Sequence, residues 1–466
     1  MFPSSPFGIS KTFWSILMQL DREIMTQLKL WKNSRRRKPL ILQGARQTGK
    51  SWVLKKFGEL AFENTAYLNF DLTPSLKADF ARTKEPAQIL ACLELTAGTR
   101  INPGSTLIIL DEIQECNDAL NALKYFCETA PEYAIVCAGS LLGVALNRSG
   151  ASFPVGKVNF LQLHPLTFSE YLKAIEPDLH QSYIRLEHIR PVPEVLHEKL
   201  LSAWRVYLFL GGMPEAVSIW GDTRSVDEVL AVQSEILQAY TQDFSKHISN
   251  KDIPRVLQVW NCLQDQLARE DRKFRYADIQ KSARSREYEA AIEWLVLAGL
   301  VSRVHNVQAP RFPLSAYKNS SAFKLYLNDP GLLCRKFALP PDVLTDGSRL
   351  FTEFKRALAE NAIASSLYAQ FGSDLIFYWT SGNTAEVEFV LQTGSRIVPV
   401  EVKAEHNIHA KSLALYRQKY APEISVRFSS RNLRLDGGIL NVPLYLADRL
   451  CLLIEKACES KSQDES

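Results

Sequence analysis

Eight residues, Gly44-Ala45-Arg46-Gln47-Thr48-Gly49-Lys50-Ser51, constrain this chain more than any other stretch. Two glycines flank a four-residue gap, and a lysine and a hydroxyl follow at once, which is the spacing of a phosphate-binding loop. A short apolar run, Pro39 to Leu42, comes before it, and Val53, Leu54 and Phe57 come after it at helical spacing. Strand, glycine loop, then helix is the order such a loop requires.

The residue types follow from the chemistry. Gly44 and Gly49 permit backbone conformations closed to other residues, so that consecutive N–H groups face the phosphates, and the helix starting near Lys50 adds the positive end of its dipole. Lys50 is placed to reach the β and γ phosphates, and the Ser51 hydroxyl to ligate Mg²⁺. The candidate nucleotide contacts run from Gly44, Ala45, Arg46, Gln47 and Thr48 through Gly49, Lys50 and Ser51 to Trp52. Glycine-rich turns before helices also occur without a ligand, so a second motif is needed downstream.

About sixty residues later, Thr106 to Leu110 is a continuous apolar run of the buried parallel-strand type, ending in Asp111-Glu112-Ile113-Gln114. Acids at the carboxyl end of such a strand lie where open α/β sheets place their ligand chemistry. Asp111 suits the carboxylate that holds Mg²⁺, and Glu112 the group that polarises the attacking water. A third strand, Ala134 to Ala138, ends in Gly139-Ser140; Ser140 is either a sensor of the γ-phosphate or an ordinary helix cap. Lys50, Glu112 and Ser140 are the candidate catalytic residues, and Ser51 and Asp111 the candidate metal ligands.

The chain has 466 residues, enough for two to four compact units, with 46% hydrophobic and 23% charged residues, as in ordinary globular proteins. No stretch is apolar for long enough to span a membrane. Thr12 to Leu20 is apolar, but Asp21-Arg22-Glu23 follows directly, so a packing helix is expected there rather than a signal peptide. Eight cysteines without metal-type spacing point to reduced thiols and a cytoplasmic protein. The net charge of +4 conceals a surplus of +6 in residues 1–40, much of it Arg35-Arg36-Arg37-Lys38, which reads as a solvated loop ahead of the first strand.

The pattern divides the chain into an extension (1–19), a nucleotide-binding α/β domain (20–165), a helical region (166–250), a winged-helix-like domain (251–335), an α/β domain (336–450) and a tail (451–466). The α/β fold class rests on the alternation of strand and helix patterns, which implies a parallel sheet with helices on both faces. The winged-helix outline comes from helices expected at Val256 to Leu267, Tyr276 to Ala283 and Glu287 to Ala298, then strands at Leu300 to Val304 and Phe323 to Asn328. Its third helix carries Glu287, Glu289 and Glu293, with Arg284 and Arg286 at its start, which favours an interaction module over a base-reading one.

In the last domain a helix carries Glu360, one strand carries Glu388 and the next carries Glu401 and Lys403, on one face by strand alternation. Those four residues fit two descriptions equally: the metal-binding acids and lysine of a Mg²⁺-dependent phosphodiesterase, or a salt-bridge ladder on an exposed edge.

With these residues in view, the chain resembles prokaryotic AAA-like P-loop ATPases that carry a carboxy-terminal domain of unknown function similar to the restriction-endonuclease fold. The likeness runs through Leu40 to Ser51, Leu110 to Gln114, Ala138-Gly139-Ser140, Pro154 to Val158, Pro165 to Tyr171, Gly211 to Glu215, Asp243 to Lys246, Tyr326 to Leu332 and Tyr378-Trp379. Where that family reads Glu-Val-Asp-Phe-Val, this chain has Glu386-Val387-Glu388-Phe389-Val390, one methylene longer at the presumed metal carboxylate.

The resemblance implies ATP and Mg²⁺ as ligands and an ATP-driven switch as the function, with an ATP-gated nuclease or a slow-turnover DNA- or protein-binding regulator as alternatives. A DNA or protein client and a homo-oligomer are the open partners. Arg148 and Lys157 are the candidates for an arginine-finger role.

Overall fold

The computed structural model describes residues 20–140, 154–269, 273–281, 283–341, 349–382, 385–403 and 411–464. The extension before Leu20 and the finger candidate Arg148 lie outside the described residues. Backbone contacts divide the chain into two compact units, residues 1–164 with 297–299, and 165–296 with 300–466.

The first unit runs α1 (Ile24–Lys32), β1 (Leu40–Gln43), α2 (Lys50–Ala61), β2 (Asn64–Asn69), α3 (Ser75–Arg82), α4 (Pro86–Ala97), β3 (Thr106–Asp111), α5 (Asn117–Thr129), β4 (Ala134–Ala138) and β5 (Asn159–Gln162). Its five strands are all parallel, in the order β2-β3-β4-β1-β5. Every residue of β3 and β4 is buried, because helices cover both faces of the sheet.

Alternation along the strands separates the two faces. Ile41, Ile108, Leu110, Ile135 and Cys137 pack with Leu76, Phe80, Ile89, Leu93 and Phe126 of α3, α4 and α5. Leu40, Leu42, Leu107, Ile109 and Val136 face Ile24, Leu28, Val53, Leu54 and Phe57 of α1 and α2. The basic block before β1 is held by protein carbonyls: Arg37 donates to Pro131 O and Glu132 O, and Lys38 to Gly156 O.

The second unit begins with α6 (Phe168–Ile175), α7 (Pro177–Tyr183), α8 (Glu194–Leu210), α9 (Pro214–Thr223), α10 (Val226–His247), α11 (Ile253–Ala268) and α12 (Ser285–Leu297). It continues with β6 (Val301–Val307), β7 (Lys318–Leu327), α13 (Pro330–Lys336), α14 (Arg349–Phe371), β8 (Ile376–Thr380), β9 (Glu386–Thr393), β10 (Arg396–Val402), α15 (Lys411–Tyr420), β11 (Ser425–Ser429), β12 (Arg434–Asp436), β13 (Ile439–Pro443) and α16 (Leu450–Asp464). One mixed sheet of eight strands, β12-β13-β11-β10-β9-β8-β6-β7, runs through it.

Three expectations change here. The helix expected over Tyr276 to Ala283 is a single 3₁₀ turn, Tyr276–Asp278. The hairpin of β6 and β7, read as a wing, also pairs through β6 in parallel with β8, so it extends the eight-stranded sheet. The tail from 451 onward begins as a helix that buries Leu453, Ile454, Ala457 and Cys458. The acids of α12 have a structural use, since Arg303 of β6 reaches Glu289 at 2.6 Å and Glu293 at 3.5 Å.

The Gly211-Gly212-Met213-Pro214 break is explained by Asp329, which is fully buried and accepts from Gly212 N at 2.6 Å and Leu332 N at 2.9 Å. A Cβ on Gly212 would stand 2.1 Å from Leu166 O, so no larger residue fits. The eight cysteines are free thiols. Among the described residues no helix is long and apolar enough to cross a membrane.

Candidate nucleotide site

The parallel register brings the loops after β1, β3 and β4 to the same edge of the sheet. Leu42 of β1 stands beside Ala138 of β4, and Leu110 of β3 beside Cys137. Since β4 lies between β1 and β3, Ser140, two residues past its end, sits between the glycine loop and Asp111.

The loop is a constrained turn. Gly44 has φ +151° and would put a Cβ 2.3 Å from Leu163 O, while Gly49 has φ +89°. Gln47 adopts φ +65° without being glycine, a strain that backbones carry mainly at functional sites. Thr48 Oγ1 donates to Ala45 O at 2.8 Å and closes the turn. From outside, the buried Arg22 braces it, donating to Thr48 O at 3.0 Å and to His164 O at 2.6 Å.

Lys50 is the first residue of α2 and is buried; its ammonium donates to Gly44 O at 2.9 Å and Ala45 O at 2.7 Å. Burial pulls its pKa down to about 8, against the opposing pull of Glu112 and Asp111, and Arg46 lowers it further. Ser51, in the first helical turn, is half-buried, and Arg46 and Gln47 are exposed. Trp52 is partly buried against the β1, α1 and α2 core.

Asp111 is buried, with its two carboxylate oxygens separately engaged. Tyr67 Oη donates to Oδ2 at 2.7 Å, and Glu112 N donates to Oδ1 at 3.1 Å. Glu112 takes a left-handed φ of +52°, which turns its side chain away from the line of β3. Burial, with the neighbouring Asp111, raises the Glu112 carboxyl above its ordinary value, and Gln114 Nε2, which donates to Glu112 Oε2, works the other way. A raised carboxylate is a stronger base.

The structure therefore brings Lys50, Ser51, Asp111, Glu112 and Ser140 to one edge of the sheet. Arg22, Tyr67 and Gln114 were not singled out from sequence. Only the alternation of Tyr67 with Asn69, whose strand position registers with Asp111, gave a signal. Lys157 does not come to this edge: it precedes β5 at the opposite end and pairs with Glu128 at 2.8 Å.

The second constellation is not the exposed edge ladder that one of the two expectations described. β10 lies inside the eight-stranded sheet rather than at its edge, and Glu360, Glu388 and Glu401 are all buried. Each acid meets a cation: Lys324 at 3.3 Å from Glu360, Arg356 at 3.3 Å from Glu388, and Lys403 at 3.3 Å from Glu401. Tyr326 Oη also donates to Glu360 at 2.6 Å, and the buried Lys324 ion-pairs with Glu386 as well. Burial, together with Glu360 and Glu401, holds the Glu388 carboxyl well above the usual carboxylate range. Among the described residues no three His, Cys, Asp or Glu side chains are arranged to hold a metal ion.

Residues 36–172 match a family model described as "AAA domain". Residues 201–342 and 355–447 match two models described as domains of unknown function, DUF8612 and DUF4143. No curated protein matches the chain. Among solved structures, the Walker-type ATPase PABY2304 of Pyrococcus abyssi is similar at 15% identity, over 68% of this chain and 96% of that one, with a TM-score of 0.44. The Aeropyrum pernix ORC1 protein in complex with DNA is similar at 15% identity, over 78% and 95%, with a TM-score of 0.29. The Thermotoga maritima RuvB Holliday junction branch migration motor is similar at 14% identity, over 63% and 89%, with a TM-score of 0.27. Residues 36–172 thus combine the match to the AAA-domain model with a parallel five-stranded sheet of α/β class and a glycine loop after its β1 strand.

Proposed function

We propose that the first unit binds Mg²⁺-ATP at the carboxyl edge of its parallel sheet and hydrolyses it, as a switch acting on a client. The observation that carries this reading is the convergence of a glycine cradle, a buried lysine and two adjacent acids at one sheet edge. The residues fit the ligand. The cradle excludes a Cβ at Gly44, and the Lys50 ammonium, which donates to the loop carbonyls of Gly44 and Ala45, can exchange them for phosphate oxygens.

In this reading Lys50 orients the β and γ phosphates, and Glu112 takes the proton of the attacking water. Gln114 and the left-handed turn at Glu112 fix the direction of that carboxylate. Ser51 and Asp111 are the residues that would hold Mg²⁺, which when bound supplies neutralisation of the phosphate charge. Ser140, which follows β4 between the two motifs, is the residue this reading assigns to sensing the γ-phosphate. The client is a DNA or a protein.

Thermal unfolding with and without ATP tests the reading. At a hundredfold excess over Kd, wild type should gain about 2.7 kcal/mol. Lys50→Ala should gain none, and an equal gain in both would overturn the assignment.

A further inference from the structure

Residues 269–286 run from the end of α11 into the first turn of α12 in the second unit, and they carry seven Lys or Arg against three Asp or Glu. That surplus of four equals the net charge of +4 of the whole chain, so all other residues together sum to zero. In the basic block before β1, Arg37 and Lys38 are held by protein carbonyls. Here the cations are left over.

Among the described residues, the acids of this region are engaged within the protein. Asp278, 14% exposed, pairs with Arg269 at 3.0 Å. Glu287 accepts from Arg284 N at 3.3 Å, and Glu289 accepts from Tyr276 Oη at 3.2 Å and from Arg303 at 2.6 Å. Lys273, Lys281, Arg284 and Arg286, by contrast, are exposed, and no carboxylate of a described residue pairs with their side chains.

These cations stand on a fixed support. Phe274 N donates to Phe323 O at 2.9 Å and the two rings stack with centroids 5.2 Å apart, which ties the segment to β7. Arg275 N donates to Gln266 Oε1 on α11 at 3.0 Å. Tyr276 bonds both Glu289 and the Ser285 side chain, and Ser285 lies between Arg284 and Arg286. Lys273 and the two arginines are thereby carried on one surface, with Lys281 on the turn that joins them.

The partner that fits is set by what the surface lacks. From 273 to 290 no described residue exposes a large apolar side chain, and α12 buries Tyr288, Ala291, Ile292, Trp294 and Leu295. A protein or a membrane would need an apolar anchor there. Single strands are held by stacking on exposed aromatic rings, whereas Phe274 is buried and Tyr276 packs edge-on against Phe323. A duplex needs only cations, since it presents one phosphate charge per about 1.7 Å of its axis.

We infer that this surface grips the phosphate backbone of duplex DNA, without reading its bases, through Lys273, Lys281, Arg284 and Arg286. The inference chooses between the two clients named for the switch, and it needs no nucleotide in the first unit.

The test is fluorescence anisotropy of a labelled, mixed-sequence duplex of about 20 base pairs with the full chain, nucleotide-free, over a range of salt. Wild type is expected to bind with a Kd of about 1–100 μM near physiological salt, and log K to fall against log salt with a slope of about −3 to −4. Lys273→Gln, Lys281→Gln, Arg284→Gln and Arg286→Gln together should weaken binding about tenfold or more and remove most of that slope. Arg82, Arg396, Arg434 and Lys456 are exposed cations at other surfaces, and replacing those four by Gln removes the same charge but should change the Kd less than about twofold. Arg284→Lys with Arg286→Lys keeps the charge and should bind as wild type does, as a backbone grip requires. Should the four-site variant fail to fold, the lysine pair or the arginine pair alone, each expected to lose about half of the slope, keeps the comparison. A wild-type Kd above about 1 mM, an equal loss in the two four-site variants, or tighter binding of the single strand would overturn the inference. Displacement of the duplex by polyglutamate at equal charge would overturn it in favour of an acidic protein.

Discussion

Tyr67 and Asp111 are joined by a 2.7 Å hydrogen bond from the tyrosine hydroxyl to Oδ2, across the neighbouring strands β2 and β3. Burial, with the nearby acids, pushes the Tyr67 hydroxyl up to about 12, so at neutral pH it is a donor. The bond fixes one oxygen of the carboxylate assigned to Mg²⁺ while Glu112 N fixes the other.

Tyr67→Phe removes that donor and keeps the ring, over which Lys55 Nζ lies at 3.7 Å. A hydrogen bond to a charged group is worth about 1.5–3 kcal/mol, so phosphate release at limiting Mg²⁺ should fall about tenfold or more. The deficit should shrink as Mg²⁺ rises, since the fault lies in holding the ion. A rate independent of the substitution at every Mg²⁺ concentration would exclude this role.

Strands buried on both faces declare themselves in sequence, and β3 and β4 were legible because nothing interrupts their apolar runs. Tyr67 was not legible, because its value lies in a contact across two strands rather than in its own segment. Tyr276 to Ala283 has helical composition, yet the chain just before it spends its backbone elsewhere. Phe274 N bonds to Phe323 O and Arg275 N to the Gln266 side chain, which leaves a single 3₁₀ turn. Lys324 interrupts an apolar strand and gave no sign of its partners, which come from α14 and β9. That Glu401 stands inside a sheet and not on its edge follows from strand order, which no local pattern encodes.

Lys324 and Glu360 are both fully buried, and burial alone would pull the lysine's pKa down. Glu360 and Glu386 more than offset that, leaving it above its ordinary value. Lys324→Met removes the fully buried cation 3.3 Å from Glu360 and leaves that acid beside Tyr326 Oη, at a cost of about 3–5 kcal/mol by urea denaturation. Adding Glu360→Gln to that variant should recover part of the loss, because the buried charge goes with it. Two losses that simply add would show that Lys324 acts through packing alone.

Gly212 is closed to substitution by backbone rather than by side chains. An added methyl would stand 2.1 Å from Leu166 O and 2.7 Å from Leu166 N, neither of which can rotate away. The same stretch is tied by Leu166 N donating to Gly212 O at 2.6 Å. Gly212→Ala should cost about 3 kcal/mol or more, above the common range for overpacking. Gly98→Ala, where a Cβ meets nothing within 4 Å but φ is +64°, should cost only about 1 kcal/mol of backbone strain. Comparable urea midpoints for the two variants would refute the steric account.

Asp329 supplies a pH test of the same clasp. Burial raises its carboxyl from 3.8 to about 6, although Gly212 N, Leu332 N and Gly331 N donate to it and work the other way. Because the folded value lies above the unfolded one, the folded state holds the proton more tightly between about pH 4 and 6. The stability linked to that proton is present below the unfolded value and is lost as pH rises through the folded one. Asparagine cannot titrate. Asp329→Asn should therefore destabilise more at pH 4.5 than at pH 7, the difference being on the order of 2–3 kcal/mol. Paired urea melts of wild type and variant at the two pH values measure it. A penalty that grows toward pH 7 instead would mean that the three backbone donors, and not burial, set the carboxyl's proton affinity.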